Sequence, residues 1–177
     1  AECLQGERAG TRDVALYLRD PHVVLSYAPQ DLFLDPSHTF RLWLDRYQHS
    51  HRRPRGFIVR MLNSQADAEA AHRLYASRRM VPPSPEFIWD QRTSRVLQYW
   101  VAEDEQNGAI LGVVSGVDHV AAFDDRENGT SLWALAVDAQ APSPGRGEGV
   151  VPQLAEFGQA RGRAFVDLSV MHDNVKA

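Results

Sequence analysis

The sequence holds one cysteine, Cys3, and one lysine, Lys176. A lone cysteine excludes an intramolecular disulfide and any zinc site built on paired cysteines. The other basic residues are arginines, which points to a GC-rich genome more than to a function. No apolar run approaches the ~20 residues of a membrane span. Net charge is −4, from 19 Lys and Arg against 23 Asp and Glu, so no basic excess recruits nucleic acid or an anionic membrane. The start, Ala1-Glu-Cys-Leu-Gln5, is not a secretory signal. A cytoplasmic location follows as the default. The chain opens without Met, which suits a fragment or a processed product. Two nucleotide-binding patterns are also missing. A dinucleotide fingerprint needs G-x-G-x-x-G, but in Gly145-Arg-Gly-Glu-Gly149 the third glycine comes one residue early. The phosphate loop of ATPases needs a Gly-Lys-Ser/Thr ending, and there is none.

What is present suits one domain, or one domain with an appendage: 177 residues, 44% of them hydrophobic. The most organised stretch runs from Ser131 to Asn174. Ser131 to Val137 has the length of a buried strand, and Asp138 to Pro144 reads as a loop. Gly145 to Gly149 reads as a turn. Val150, Val151, Leu154 and Phe157 then give helical spacing up to Ala160, and Arg161-Gly162 closes the helix. Ala164 to Met171 is a second strand. A glycine turn at a helix N-terminus presents unpaired N–H groups and the positive end of the helix dipole, which is a place for phosphate. An ordinary βα turn is the plainer alternative.

Earlier in the chain, Asp13 to Leu18 and His22 to Tyr27 read as two strands of a hairpin around Arg19-Asp-Pro21. Ser37 to Tyr47 reads as a short helix with Ser37 as its cap. His49 to Arg55 is a polar, basic break: a solvated linker first, a functional basic patch second. Phe57 to Leu62 is a strand. Ser64-Gln-Ala-Asp67 is a capping-box pattern that starts a helix over Ala66 to Arg79. Three prolines stiffen the loop Met80 to Glu86, and Phe87 to Trp89 enters a short helix. Val96 to Ala102 and Ala109 to Val117 form a hairpin around Glu103 to Gly108. Asp118 to Thr130 is a polar connection. The order from 56 onward is β-α-(α)-β-β-β-α-β, with an antiparallel hairpin and a right-handed parallel crossover.

A strand ending Ala136-Val137-Asp138, then Gly145-x-Gly147, resembles the acetyl-CoA motif of the GNAT N-acetyltransferases. Asn174-Val-Lys-Ala177 is similar to the start of that family's next motif, Asn-x-x-Ala. The resemblance implies an α/β (α+β) fold: a GNAT-like mixed sheet with flanking helices, opened by the strand and helix at 57–79, with the cofactor entering between the two parallel strands. It also implies acetyl-CoA as cosubstrate, held by the main chain of Leu135, Ala136 and Val137, by Gly145, Arg146, Gly147, Glu148 and Gly149, and by Asn174. Residues 1–48 become an accessory region, 49–55 a linker, and 56–177 an acetyltransferase domain lacking its last helix and strands. More narrowly, Arg19 to Leu25, Leu34 to Thr39, Ala102 to Gln106, Gly116 to His119, Ser131 to Trp133 and Asp167 to Asn174 look like the corresponding parts of bacterial N-acetylglutaminylglutamine synthetases. Those are fusions of a GNAT domain with an ATP-grasp ligase that make an osmoprotectant. The ligase half is not in this chain. The resemblance thus implies acetyl transfer to the α-amine of glutamine or a small glutamine-like molecule, by direct attack in a ternary complex. A homodimer is compatible with it.

This sequence departs from the family pattern at Pro142, where Arg or Gln is usual, and Pro144 removes a second N–H donor. Pro152 falls inside the helix at roughly 3 kcal/mol, Gly149 adds about 1 kcal/mol, and Arg146 partly offsets both as a cation beside a pyrophosphate. The base candidates are Glu103, Asp118, His119 and His172. Glu103 reads first as a solvated turn acid and second as a base. His119 follows a strand and belongs to the residue type that titrates near neutrality; it reads first as a surface or hydrogen-bonded histidine and second as the base. His172 and Asp173 stand beside Asn174 and order either Asn174 or the amine. None of these has metal-ligand spacing, so no metal is expected. Trp100 and Trp133 read as core aromatics. Two other readings stay open. One is a truncated, non-catalytic remnant that binds CoA weakly or docks on a partner chain. The other is a phosphate-binding regulatory module.

Overall fold

The computed structural model describes Leu18 and residues 20–34, 36–49, 56–139 and 146–172. Residues 40–168 form one compact unit, and the described residues before 40 and after 168 belong to another.

The larger unit is built on a sheet whose strands are ordered β1-β6-β5-β4-β3-β2. β2 is Phe57–Met61, β3 Leu97–Asp104, β4 Ile110–Asp118 and β5 Gly129–Val137; β1, Ser37–Trp43, and β6, Phe165–Met171, each run from one unit into the other. The β2–β3, β3–β4 and β4–β5 pairs are antiparallel, and β5–β6 is parallel. This is the mixed sheet with a parallel crossover that the sequence predicts.

Two helical layers cover it. α2, Gln65–Ser77, begins with the predicted capping box: Ser64 Oγ accepts the Asp67 N–H while Asp67 accepts the Ser64 N–H. Its buried residues Ala68, Ala71, Leu74 and Tyr75 recur at helical spacing. With Ile88 of α3, Pro85–Asp90, they pack on Tyr99, Val101, Val113 and Ala136. Burial pushes the Tyr99 hydroxyl up to about 12. α5, Arg146–Ala160, covers the opposite face, where Leu154 and Ala155 meet Trp100, Ala102, Val114 and Val166. It ends in a reversal at Gly162, φ +69°, with Arg163 N–H donating to Gly158 O at 2.9 Å.

Five sequence expectations fail. His22–Tyr27 is not a strand: Pro21–Tyr27 is a helix, α1, with Pro21 at its first position, where a fixed φ and a missing N–H cost nothing. The hairpin it was to close therefore does not form from this segment, and its other half, 13–17, lies outside the described residues. Ser37–Tyr47 is not a helix: Ser37–Trp43 is β1. Phe40, Leu42 and Leu44 alternate with Arg41 and Trp43, a period of two rather than 3.6. Glu103 and Asp104 are strand residues, and the turn begins after them, with Asp104 Oδ1 accepting the Gln106 N–H at 2.8 Å. The turn over Gly145 to Gly149 is not a turn from Arg146 onward: α5 starts there, so Gly147, Gly149 and Pro152 all lie in the helix. Finally, the polar connection after Asp118 carries a short helix, α4, His119–Phe123. Among the described residues, no helix is long and apolar enough to cross a membrane, and no three His, Cys, Asp or Glu side chains are grouped to hold a metal.

Candidate functional site

β5 and β6 start out clamped together. Asp118 at the end of β4 is buried, accepts the Ala121 N–H through Oδ1, and takes Arg163 at 2.8 Å and Arg161 at 3.1 Å on Oδ2. Burial pushes the Asp118 carboxyl up, but Arg163, the Ala121 amide and Arg161 together hold it below the ordinary carboxylate value. Arg163 also donates to Asn128 Oδ1, and the Asn128 side chain donates to Gly162 O at 2.7 Å. Both Asp118 oxygens are committed to this clamp.

The ladder then runs Gly129↔Phe165 to Leu132↔Leu168 and stops, although β5 continues to Val137. Just past that point β5 is distorted. Val113 pairs with Ala136 and Ser115 with Trp133, so two steps on β4 span three on β5. The extra residue is a bulge, and Ala134 takes a left-handed φ of +48°. Such a conformation is costly for a residue with a Cβ, and strain of this kind persists where the surroundings enforce it. Trp133, Ala134 and Leu135 are exposed while Ala136 is buried again. Past Leu132 the β5 main chain therefore runs on outside that ladder. α5 begins at Arg146, and the N–H groups of Arg146, Gly147 and Glu148 in its first turn come before the first i→i−4 bond of the helix.

At the end of the ladder, on the face shared with α2 and α3, a cluster of side chains meets. Period-two spacing puts Ser131 and Trp133 side by side. Trp133 Nε1–H donates to Ser131 Oγ at 2.6 Å. His119 Nε2 lies 2.8 Å from the same oxygen, and its Nδ1 is 3.7 Å from Asp125 Oδ2. Asp125 is fixed in turn by the Gly129 and Glu127 amides, and these hold its carboxyl below the usual value. The His119 ring packs against Phe123 and the edge of Phe165. Only glycine fits at 129, since a Cβ there would meet the Phe165 ring and come within 3.0 Å of His119 Nδ1. On the far side of Phe165, Arg41 from β1 lies 3.5 Å above the ring and grips Asp167 with two bonds of 2.8 Å. Those bonds raise the Arg41 pKa further.

The predicted site residues do not all converge here. His119 lies alongside the ladder, with Nδ1 near Gly129 at its first rung and Nε2 at Ser131, one rung before its end. Glu103 is on β3, where Arg60 binds it through Nε and binds Asp67 through both terminal nitrogens. His172 belongs to the smaller unit, where its N–H donates to Pro36 O at 3.2 Å. Leu135, Ala136 and Val137 form the free-running end of β5. Arg146, Gly147, Glu148 and Gly149 form the first turn of α5. Gly145, Asp173 and Asn174 lie outside the described residues. Trp133 is a correction: it is 40% exposed just past the end of the ladder, while Trp100 is the core aromatic. Sequence reasoning missed Ser131, Asp125 and Arg41. The Ser-x-Trp spacing on one strand was the available signal for the first. An open groove of about 590 Å³ along α2, lined by Ala66, Ala70, Arg73, Leu74 and Ile110, reaches β5 only at Asp138 and does not include this cluster.

No family's sequence pattern and no curated protein matches the chain. Solved structures do. A tandem GNAT protein from the clavulanic acid biosynthesis pathway superposes with a TM-score of 0.63 at 14% identity, over 92% of this chain and 53% of that one. The ribosomal-protein-S18-alanine N-acetyltransferase of Escherichia coli gives 0.52 at 18% identity, over 68% of this chain and 70% of that one. An aminoglycoside acetyltransferase from an uncultured soil metagenomic sample, in complex with sisomicin, gives 0.54 at 19%, over 68% and 80%. This chain spans about half the length of the tandem protein. These likenesses show the fold, and it is the GNAT fold.

Proposed function

We propose that the chain is an acetyl-CoA-dependent N-acetyltransferase of the GNAT type. The observation that carries this reading is the parallel β5–β6 ladder that ends at Leu132↔Leu168 beside a strained bulge, with the start of a helix beyond. The stretch from Trp133 to Val137 is roughly 17 Å long at the rise of a strand, which suits an extended pantetheine arm lying against main chain. Leu135, Ala136 and Val137 hold that arm through peptide groups. Arg146, Gly147, Glu148 and Gly149 receive the pyrophosphate through first-turn N–H groups, with Gly145 and Asn174 completing the set. When bound, acetyl-CoA supplies an activated acyl carbon. The residues of this chain then have two tasks: to orient an amine toward the end of the ladder and to accept its proton. His119 is the base. Its Nε2 reaches Ser131, one rung before that end, whereas Glu103 is bound to Arg60.

The acceptor we propose is the α-amine of glutamine or a small glutamine-like molecule. In support, the segments Gly116 to His119, Ser131 to Trp133 and the start of Asp167 to Asn174, which resemble N-acetylglutaminylglutamine synthetases, meet around one cluster. Calorimetry with acetyl-CoA, and with ATP as control, followed by mass detection of acetylglutamine, tests both parts. Saturable acetyl-CoA binding with acetylated product is expected. Binding without transfer to any amine in a screen would leave only the non-catalytic CoA-binding reading. A folded chain that ignores acetyl-CoA would end the enzyme reading.

A further inference from the structure

Ser131 has a hydrogen-bonding position that packing alone does not require. Its oxygen is contacted by two nitrogens, Trp133 Nε1 at 2.6 Å and His119 Nε2 at 2.8 Å. The indole nitrogen is a donor only, so Ser131 Oγ accepts from Trp133 and still has its own hydrogen to place. The other His119 nitrogen faces the Asp125 carboxylate, which favours a proton on Nδ1. In the neutral ring Nε2 is then a lone pair, and the Ser131 hydroxyl points its hydrogen at it. Nothing else the structure shows at this point needs a serine: the aromatic packing of Phe123 and Phe165 would hold the ring in place by itself.

We infer that Ser131 is a proton relay between the acceptor amine and His119, with Asp125 and Trp133 as the positioning residues at its two ends. This rests on the acetyltransferase reading above. As the amine nitrogen bonds to the acyl carbon and the carbon–sulfur bond breaks, an N–H proton passes to Ser131 Oγ. The Ser131 proton passes to His119 Nε2, the ring becomes an imidazolium facing Asp125, and the thiolate leaves with the sulfur electron pair. The Trp133 N–H stabilises the charge that gathers on Oγ during the exchange. Ser131 pairs with Asp167 one rung before the end of the ladder, and Trp133 lies just past that end. The charged groups around His119 are Asp125 and Glu127 from the turn after α4, Arg41 from β1, Asp167 from β6, and Asp118 at its N-cap, the last neutralised by Arg161 and Arg163.

The test uses the full chain. Nitrogen-15 NMR of the histidine rings, with His119 assigned by difference against His119→Gln, reads the tautomer without substrate or turnover. The neutral ring is expected to carry its proton on Nδ1. A proton on Nε2 would make His119 a donor to Ser131 and overturn the relay, whatever the activity. In steady-state kinetics Ser131→Ala is expected to lower kcat about 10²-fold, with KM for acetyl-CoA unmoved and the acid limb of the pH profile lost. Ser131→Thr keeps the hydroxyl and restores most of kcat. Trp133→Phe keeps the ring, removes the N–H and lowers kcat about tenfold, so the inference stays open to refutation even if Ser131→Ala fails to fold. Transfer that survives loss of the hydroxyl sinks the relay alone. A wild-type chain that transfers acetyl to no amine sinks the acetyltransferase reading and the relay with it.

Discussion

Two of the carboxylate-bearing clusters on this sheet are built to opposite ends. In the first, Arg60 on β2 joins Asp67 of α2 to Glu103 of β3. Every nitrogen of the guanidinium is engaged, Asp67 also accepts the Asn63 and Ser64 amides, and Asp67 is 5% exposed. Burial pushes Asp67 up, but Arg60 and those amides hold it below the ordinary carboxylate value, while Asp67 raises the Arg60 pKa further. The cluster is closed. In the second, His119 faces a hydroxyl on one side and a carboxylate 3.7 Å away on the other, beside an exposed indole and an interrupted ladder. Saturated charge pairs fix elements in place; chemistry needs a group whose proton has somewhere to go. Glu103 and His119 look alike as titratable residues at strand ends. Their partners make them different.

The largest effect we expect comes from breaking the closed cluster. Arg60→Met leaves Asp67 buried without its cation and should cost about 3 kcal/mol or more of stability, read as a drop in urea midpoint. A variant as stable as wild type would mean that Asp67 is not confined as the structure shows. The mirror experiment is His119→Gln, which should lower kcat by about 10²-fold while leaving the urea midpoint nearly unchanged. A large loss of stability with kcat retained would reverse the comparison.

Acid should act on the closed side first. Asp67, Asp118 and Asp125 all have folded values below the ordinary carboxylate range. Their contribution is fully present above the unfolded value of about 4 and is lost as pH falls through the lower folded values. Denaturation followed from neutral pH downward should show a plateau and then a fall below about pH 4; a stability that rises in that range would contradict the assigned pairs. A smaller change is expected from Glu103→Gln, about 1 kcal/mol of stability with kcat unaltered. A collapse of kcat in that variant would make Glu103 the base after all. The smallest effect is a gain. Ala134→Gly should relieve the left-handed bulge by up to about 1 kcal/mol, seen as a modest rise in melting temperature.

Much of the fold was legible because burial repeats along the chain. α2 announced itself by Ser64 and Asp67 at capping spacing, and β3 and β4 by apolar runs around an Asn-Gly step. The failures have separate causes. Ser37–Trp43 is exposed along its length, so no burial pattern marked it, and its hydrogen bonds come from β6, far away in sequence. Pro21 looked like the end of a turn when it was the start of a helix. At the site, Ala136, Val137 and the helix after them were readable from local order. Ser131 and Asp125 were not, because neither is unusual until His119 is folded between them.

By itself, the sequence determined which segments are strands and helices in the core, the parallel crossover at β5–α5–β6, and so the fold, because these follow from local periodicity, capping and chain handedness. Only the tertiary structure decided that Glu103 is taken by Arg60 and that β1 brings Arg41 across Phe165. Only it decided that His119 and Asp125, a strand apart from Trp133, share one hydroxyl's surroundings at the ladder's end. Those outcomes depend on which side chains arrive within about 3 Å of each other, and no spacing along a single chain encodes a distance between strands.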